Sequence, residues 1–313
     1  MADRLLVFSN PDVQKLLSDK FIPVACNDWY QRRRKDAEGV FFRKVSDQRP
    51  GGVRPNATRQ GHYVFTAGGK LLGFNNNRSL QRRMAMLRSA LKKWDALTPA
   101  EKTAKVDDLT EVDKKYTRAF PKDGNVLKVY TRCLERKNGN LKAMAKQGVG
   151  TAAGVDHVWF TKEEVDQIRT LVTKGGGMLP KRLSLRLARF NGVDNTRGEP
   201  PRWKVSEVEK SHFSIDAKGN IKWELSMQTA DRKRGFSGKG AGKIAFDPKG
   251  RLRIFEMTVI GNHWGEGIHT AGARPGQQPL GIVFQLTPAK KPQDRIPPQA
   301  MHWEKGYWQA ERE

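Results

Sequence analysis

Apolar residues in this chain come in short, punctuated groups. Asn10 followed by Pro11 is a helix-start signal, with Asn as the cap and Pro where a missing amide hydrogen is harmless, and Val13, Leu16 and Leu17 then form one stripe. Residues 21–26 (Phe-Ile-Pro-Val-Ala-Cys) are a short apolar run that predicts a buried strand, with Pro23 favouring an edge or a bulge. Residues 36–45 read as helix, and 46–61, rich in Gly, Pro, Asn and Arg, as an irregular connection. Residues 62–66 and 71–74 then read as two strands joined by the turn Ala67-Gly68-Gly69-Lys70. Leu80, Met84, Leu87, Leu91 and Trp94 recur at steps of four and three, which places them along one face of a helix.

Thr98-Pro99-Ala100-Glu101 is a capping box that opens a new helix after Leu97, and the domain joint is expected there, giving domains 1–97 and 98–313. Residues 126–135 read as a strand and 137–154 as a flexible basic loop. Thr161-Lys162-Glu163-Glu164 is a second capping box, opening a helix with Val165, Ile168, Leu171 and Val172, and a further helix is expected over 181–190. Beyond it the pattern turns to β: 212–215, 221–227, 243–246, 252–260 and 281–286 are expected strands, with hairpin turns at 217–220 and 247–250. The expected fold class for residues 98–313 is α+β with an antiparallel sheet.

Composition narrows the classes. The 313 residues are 37% hydrophobic and include 8 Trp and 14 Phe, enough for two ordinary cores and against disorder throughout. No apolar run approaches the roughly 18 to 20 residues needed to span a bilayer. Asp3 and Arg4 stand at the front with no long apolar segment behind them, so the chain as written is expected in the cytoplasm, or exported if a leading segment lies upstream. Cys26 and Cys133 are too few for a disulfide scaffold or a four-Cys zinc site, and one bridge between them stays open.

With 58 Lys+Arg against 33 Asp+Glu the net charge is +25, and residues 1–94, with 19 basic and 7 acidic side chains, hold +12 of it. Arg32, Arg33, Arg34 and Lys35, with Arg82, Arg83, Lys92 and Lys93, are the candidate polyanion contacts, and Arg88 adds to the same basic run. The competing account is a solvated basic face. No helix-turn-helix, zinc-finger spacing or aromatic RNA-recognition motif is present, so sequence-specific nucleic-acid binding is not supported.

The stretch from Phe8 through Asn10-Pro11 to Leu17, continuing into Phe21-Ile22-Pro23-Val24, resembles a helix and strand of the thioredoxin-like superfamily. Tyr63 to Gly73 resembles its later hairpin, and the helix from Leu80 to Trp94 its last helix. The resemblance covers about 95 residues and implies an α/β thioredoxin-like N-terminal module. Asp28-Trp29-Tyr30-Gln31-Arg32-Arg33-Arg34 and Gly261-Asn262-His263-Trp264-Gly265-Glu266-Gly267 look like segments of uncharacterised bacterial proteins that join such a module to a C-terminal domain. The Cys-x-x-Cys pair on which dithiol chemistry depends is missing, and so is a proline within Thr58-Arg59-Gln60-Gly61, where the family's cis-proline falls. Dithiol oxidoreductase activity is therefore not expected.

Several groups remain as candidates for chemistry. Cys26, ahead of the Arg32–Lys35 cluster, is a candidate reactive thiol whose competing role is a small core residue. His263, Glu266 and His269, at three-residue steps, are a candidate divalent-metal set, against a packed loop around Trp264; no other cofactor is expected. Asp194 and Glu199, with Arg197 between them, are candidate acid/base residues, against turn-stabilising bonds and an ion pair. The run from Gly235 to Lys243 misses the phosphate-loop register and reads as a flexible connection. The function expected is a redox-inactive binding or scaffold protein for a protein or polyanion partner. The alternatives are an enzyme, metal-dependent or not, with its site in the C-terminal domain, and residual single-thiol activity at Cys26.

Overall fold

The computed structural model describes residues 7–8, 10–54, 57–77, 79–103, 112–145, 152–291 and 294–312. The protein is mixed α/β with antiparallel sheets and divides into two compact units, Asp3–Arg118 and Ala119–Glu313.

In the first unit α1 (Pro11–Lys20) starts as its sequence dictates, with the Asn10 side chain accepting from the Asp12 and Val13 amides at 2.9 and 3.2 Å. A short α2 (Asp28–Gln31) leads to α3 (Ala37–Ser46), capped by Asp36. Strands β1 (His62–Phe65) and β2 (Leu71–Asn75) form a two-stranded antiparallel hairpin, followed by α4 (Leu80–Asp95) and the single turn α5 (Pro99–Lys102), which has the expected Thr98 capping box. A hairpin alone is marginal in water, and this one is covered by α4. Gly73 permits the approach: a Cβ there would stand 2.8 Å from the Met86 sulfur. Arg83 and Lys93 of α4 donate to β2 and loop carbonyls of Asn75, Asn77 and Leu72.

Two features of this unit depart from the sequence reading. Residues 21–27 form no strand, and Ile22 and Val24 are 92% and 69% exposed, because no described strand lies beside them to accept their backbone groups. The unit also continues past Leu97. Asp113 receives the Lys35 amide and gives its own to Asp36 (3.0 and 2.8 Å), Tyr116 meets Trp29 edge-on, and Arg118 stacks over Tyr30.

The second unit is built on nine strands among the described residues: β3 (Asn125–Lys137), β4 (Asn140–Ala143), β5 (Ala153–Phe160), β6 (Gly176–Met178), β7 (Val208–Asp216), β8 (Asn220–Gln228), β9 (Gly235–Phe246), β10 (Leu252–Trp264) and β11 (Gln278–Thr287). The order across the sheet is β4-β3-β11-β10-β9-β8-β7-β6. β5 shares with β4 the edge of β3 that faces away from β11, and every pair is antiparallel. The Gly-rich segment from Gly235 is thus a central strand and not the flexible connection expected. Its inward glycines let large neighbours lie against backbone: a Cβ on Gly240 would stand 3.1 Å from a Val259 methyl and 3.3 Å from the Trp223 Cβ, and one on Gly238 3.2 Å from the Phe236 ring.

Two helices accompany the sheet, α6 (Lys162–Thr173), opened by the Thr161 capping box, and α7 (Lys181–Asn191). α7 is enclosed, with every residue from Leu183 to Asn191 buried. Leu183 and Leu187 join the sheet core of Trp223, Met257 and Phe284, while Leu185 and Phe190 join a second cluster with Trp159, Met301 and Tyr307, the last from α8 (Glu304–Trp308). Arg186, with no exposed surface, reaches buried Glu164 through two bonds of 2.9 and 2.7 Å and lies near the rings of Tyr307, Trp308 and Phe160. The two-bond contact offsets the desolvation of both charges, and Glu164 also accepts from the Thr161 amide at 3.1 Å.

Candidate functional site

The basic residues of the first unit fall into two groups. Arg34 and Arg83 are structural, which removes them from the expected polyanion contacts. Arg34 pairs with Asp36 at 2.6 Å and Glu38 at 2.8 Å, and Arg83, 1% exposed, holds two carbonyls at the end of the hairpin. The Arg34 guanidinium, with backbone donors from Asp113 and Gly39, holds the Asp36 carboxyl well below the usual carboxylate range. Arg32 lies 3.7 Å from Asp28, and Arg33 stacks on Trp29 at 4.5 Å while donating to its carbonyl.

The second group faces solvent. On α4 the positions Gln81, Ala85, Arg88 and Lys92 follow one another at helical spacing on the exposed side, flanked by Arg82, Ser89 and Lys93. All four cations on this face are exposed, and the only acidic residue of the helix is Asp95 at its last position. Lys93 is tethered to the Leu72 carbonyl at 3.0 Å, and Lys35 is exposed elsewhere on the unit.

Cys26 reaches solvent in the unpaired segment, yet surrounding protein and the Glu38 carboxylate push its thiol up rather than down. The expected stabilising field is blunted because Arg34, the central cation of the cluster, is neutralised by Asp36 and Glu38. Cys133 is buried in the second unit, and both cysteines are free thiols, so the bridge left open by the sequence is not formed.

In the second unit the segment after α7 is a buried loop, unusual for irregular backbone and explained by its internal bonding. Asp194, 4% exposed, accepts from the Thr196 amide (3.0 Å) and hydroxyl (2.6 Å) and from Arg197 Nε (3.0 Å). Burial alone would raise the Asp194 carboxyl, but the Thr196 hydroxyl, nearby His263 and Arg197 outweigh it and the carboxyl lies below its ordinary value. Arg197 also donates to the carbonyls of Thr270 and Gly265, clamping this loop to the one after β10. Thr196 meets the Cys133 sulfur at 3.4 Å, completing a buried relay from thiol to hydroxyl to carboxylate to guanidinium. The Cys133 thiol is pushed up, mainly by burial and secondarily by Asp194, so it stays protonated.

Glu199 belongs to a different contact: its carboxylate lies 3.6 Å from His302 Nδ1, which lowers its pKa. The expected grouping of Asp194, Arg197 and Glu199 therefore separates into an internal ion pair and a half-exposed carboxylate–imidazole pair. His263, Glu266 and His269 are not gathered either. β10 continues through Trp264, leaving His263 on the inner sheet face at 8% exposure. Gly265, at φ 75°, then turns the chain so that Glu266 and His269 are exposed. Burial drops the His263 pKa to about 4, so the ring is neutral at physiological pH. Among the described residues no group of three His, Cys, Asp or Glu side chains is placed to hold a metal ion.

Nothing local in the sequence marks Thr196 or pairs it with Cys133, because their contact joins residues 63 positions apart. No protein-family model matches the chain, and searches of curated proteins and of solved structures likewise return no match. Among the described residues no helix is long and apolar enough to cross a membrane.

Proposed function

We propose that the protein is a polyanion-binding protein whose first unit presents the exposed basic side of α4 to its partner. The supporting observation is the exposed set Arg82, Arg88 and Lys92 on one helix, with no acidic residue interspersed. Surface charges that pair internally contribute structure; charges left facing solvent on a rigid helix raise the local counter-ion concentration and capture phosphate, sulfate or carboxylate chains without reading a sequence. The absence of a Cys-x-x-Cys pair and the raised Cys26 thiol favour binding over thiol chemistry. A thioredoxin-like ancestry for this unit belongs to the same reading: the hairpin followed by α4 stands in the expected order, although the expected strand at 21–26 is unpaired.

The test is fluorescence anisotropy with a labelled 20-base-pair duplex across a salt series, comparing the full chain with Arg82→Gln/Arg88→Gln/Lys92→Gln. The substituted chain is expected to bind at least about tenfold more weakly, with the logarithmic salt slope reduced by about 1 per lost phosphate contact. Equal affinity and equal slope would overturn the proposal.

A further inference from the structure

The outer face of the second unit's sheet carries a groove of about 410 Å³ that has no part in the relay around Asp194. Register builds its floor: Lys210, Ser226, Ser237, Asn262 and Pro279 are successive cross-strand partners over β7, β8, β9, β10 and β11. At the usual strand spacing this row is about 19 Å long. The neighbouring row supplies one wall, with Lys239 between Glu224 and Ile260, and Arg136 of β3 lines the groove as well. The row on the other side is Gln228, Gly235 and Trp264. A Cβ on Gly235 would stand 2.0 to 2.4 Å from three ring atoms of Trp264, so the indole lies across that glycine on the same outer face, fixed by its Nε1 bond to the Arg232 carbonyl.

Hydroxyl and amide groups on the floor, an indole beside them and three cations around the groove are a combination suited to a hydroxyl-rich ring bearing negative charge. Apolar ring faces lie on an aromatic platform, ring hydroxyls exchange bonds with Ser and Asn side chains, and a carboxylate or sulfate meets the cations. A single indole gives no series of stacking platforms for successive nucleobases, which distinguishes the groove from a single-strand nucleic-acid channel. Glu224 is already engaged by Lys210, so Lys239 and Arg136 are the cations that the ligand charge would meet.

We propose that this groove binds an anionic saccharide chain, with Ser237 and Asn262 bonding the sugar hydroxyls, Lys239 and Arg136 its acidic groups, and Trp264 standing in the row beside the floor. The site is independent of α4, and the test separates the two by using the full chain in which Arg82, Arg88 and Lys92 are already Gln. Titration calorimetry is run with oligogalacturonate (carboxylated), a heparin oligosaccharide (sulfated) and a neutral cello-oligosaccharide of equal length. Binding of one acidic oligosaccharide, at least about tenfold tighter than the neutral one and weakened at least about tenfold by Lys239→Glu, supports the proposal, and the preferred acid identifies the ligand's charged group. Ser237→Val, an exposed change that keeps strand propensity, is expected to weaken binding several-fold while leaving the melting temperature within about 2 °C of the parent. The proposal is overturned if neither acidic oligosaccharide binds, if the neutral one binds equally well, or if Lys239→Glu leaves the affinity unchanged in a folded protein.

Discussion

The two units spend arginine in different places. In the first, Arg34 and Arg83, both buried, bond within their own neighbourhood, Arg34 to Asp36 and Glu38 and Arg83 to the carbonyls of Asn75 and Asn77, while Ile22 and Val24 remain in solvent. In the second, Arg186 and Arg189 project from an enclosed helix; Arg186 neutralises Glu164, and Arg189 holds the carbonyls of Trp203, Ala310 and Arg312. A guanidinium bonded to partners two to eight positions away stiffens one local segment, whereas one bonded to partners 14 to 123 positions away ties distant parts of the chain into one core. The contrast therefore predicts a second unit that opens as one body and a first unit held by local bonds.

The largest expected effect breaks that contrast at its centre. Glu164→Gln leaves the buried Arg186 charge without its counter-ion and should destabilise the second unit by about 3 to 5 kcal/mol. Hydrogen exchange should show faster opening of α6, α7 and the sheet with unchanged exchange in α4; a loss under 1 kcal/mol would mean that water reaches Arg186.

A smaller effect concerns pH. His263 titrates near 4 in the folded protein and near 6.5 when exposed, so the unfolded chain binds the proton first. Stability is fully present above about 6.5 and is lost as pH falls towards about 4, by on the order of 3 kcal/mol. Denaturant titrations of the full chain and His263→Gln over this window should give a shallower slope for the variant; parallel slopes would assign the pH dependence to other groups. The half-exposed Glu199–His302 pair has much less bearing on stability, because solvent screens it.

The smallest effect compares the two thiols. Cys26→Ser should alter stability by less than about 0.5 kcal/mol, because the residue is exposed and unpaired in its backbone. Iodoacetamide mass mapping of the native protein should modify Cys26 and spare Cys133 until denaturant is added. Native labelling of Cys133 would show that the relay with Thr196 opens readily.

Legibility in the sequence followed the range of the interactions. The Asn10 cap, the Thr98 and Thr161 capping boxes, the 67–70 turn and the α4 periodicity are all local, and each appears where its residues place it. The apolar run at 21–26 carried the same kind of strand signal but lacks a neighbouring strand, and a strand without a ladder is only an extended segment. The Gly-rich run at 235–243 carried the opposite signal and is a central strand, because large side chains from its neighbours occupy the space its missing side chains leave. β5 was hidden inside a stretch read partly as loop, although residues 156–160 are buried.

Candidate site residues divide in the same way. That the chain is basic, that α4 carries several cations and no acidic residue before Asp95, and that no Cys-x-x-Cys pair is present were fixed by residue identity. Tertiary structure alone decided that Arg34 and Arg83 are internal, that Asp194 pairs with Arg197 while Glu199 turns to His302, that His263 is separated from Glu266 and His269, and that Cys133 meets Thr196. Charge and helical periodicity are properties of residues and their near neighbours. Whether a charged group meets water or a counter-ion depends on what the fold brings against it from far along the chain, and on the free energy of removing that group from water.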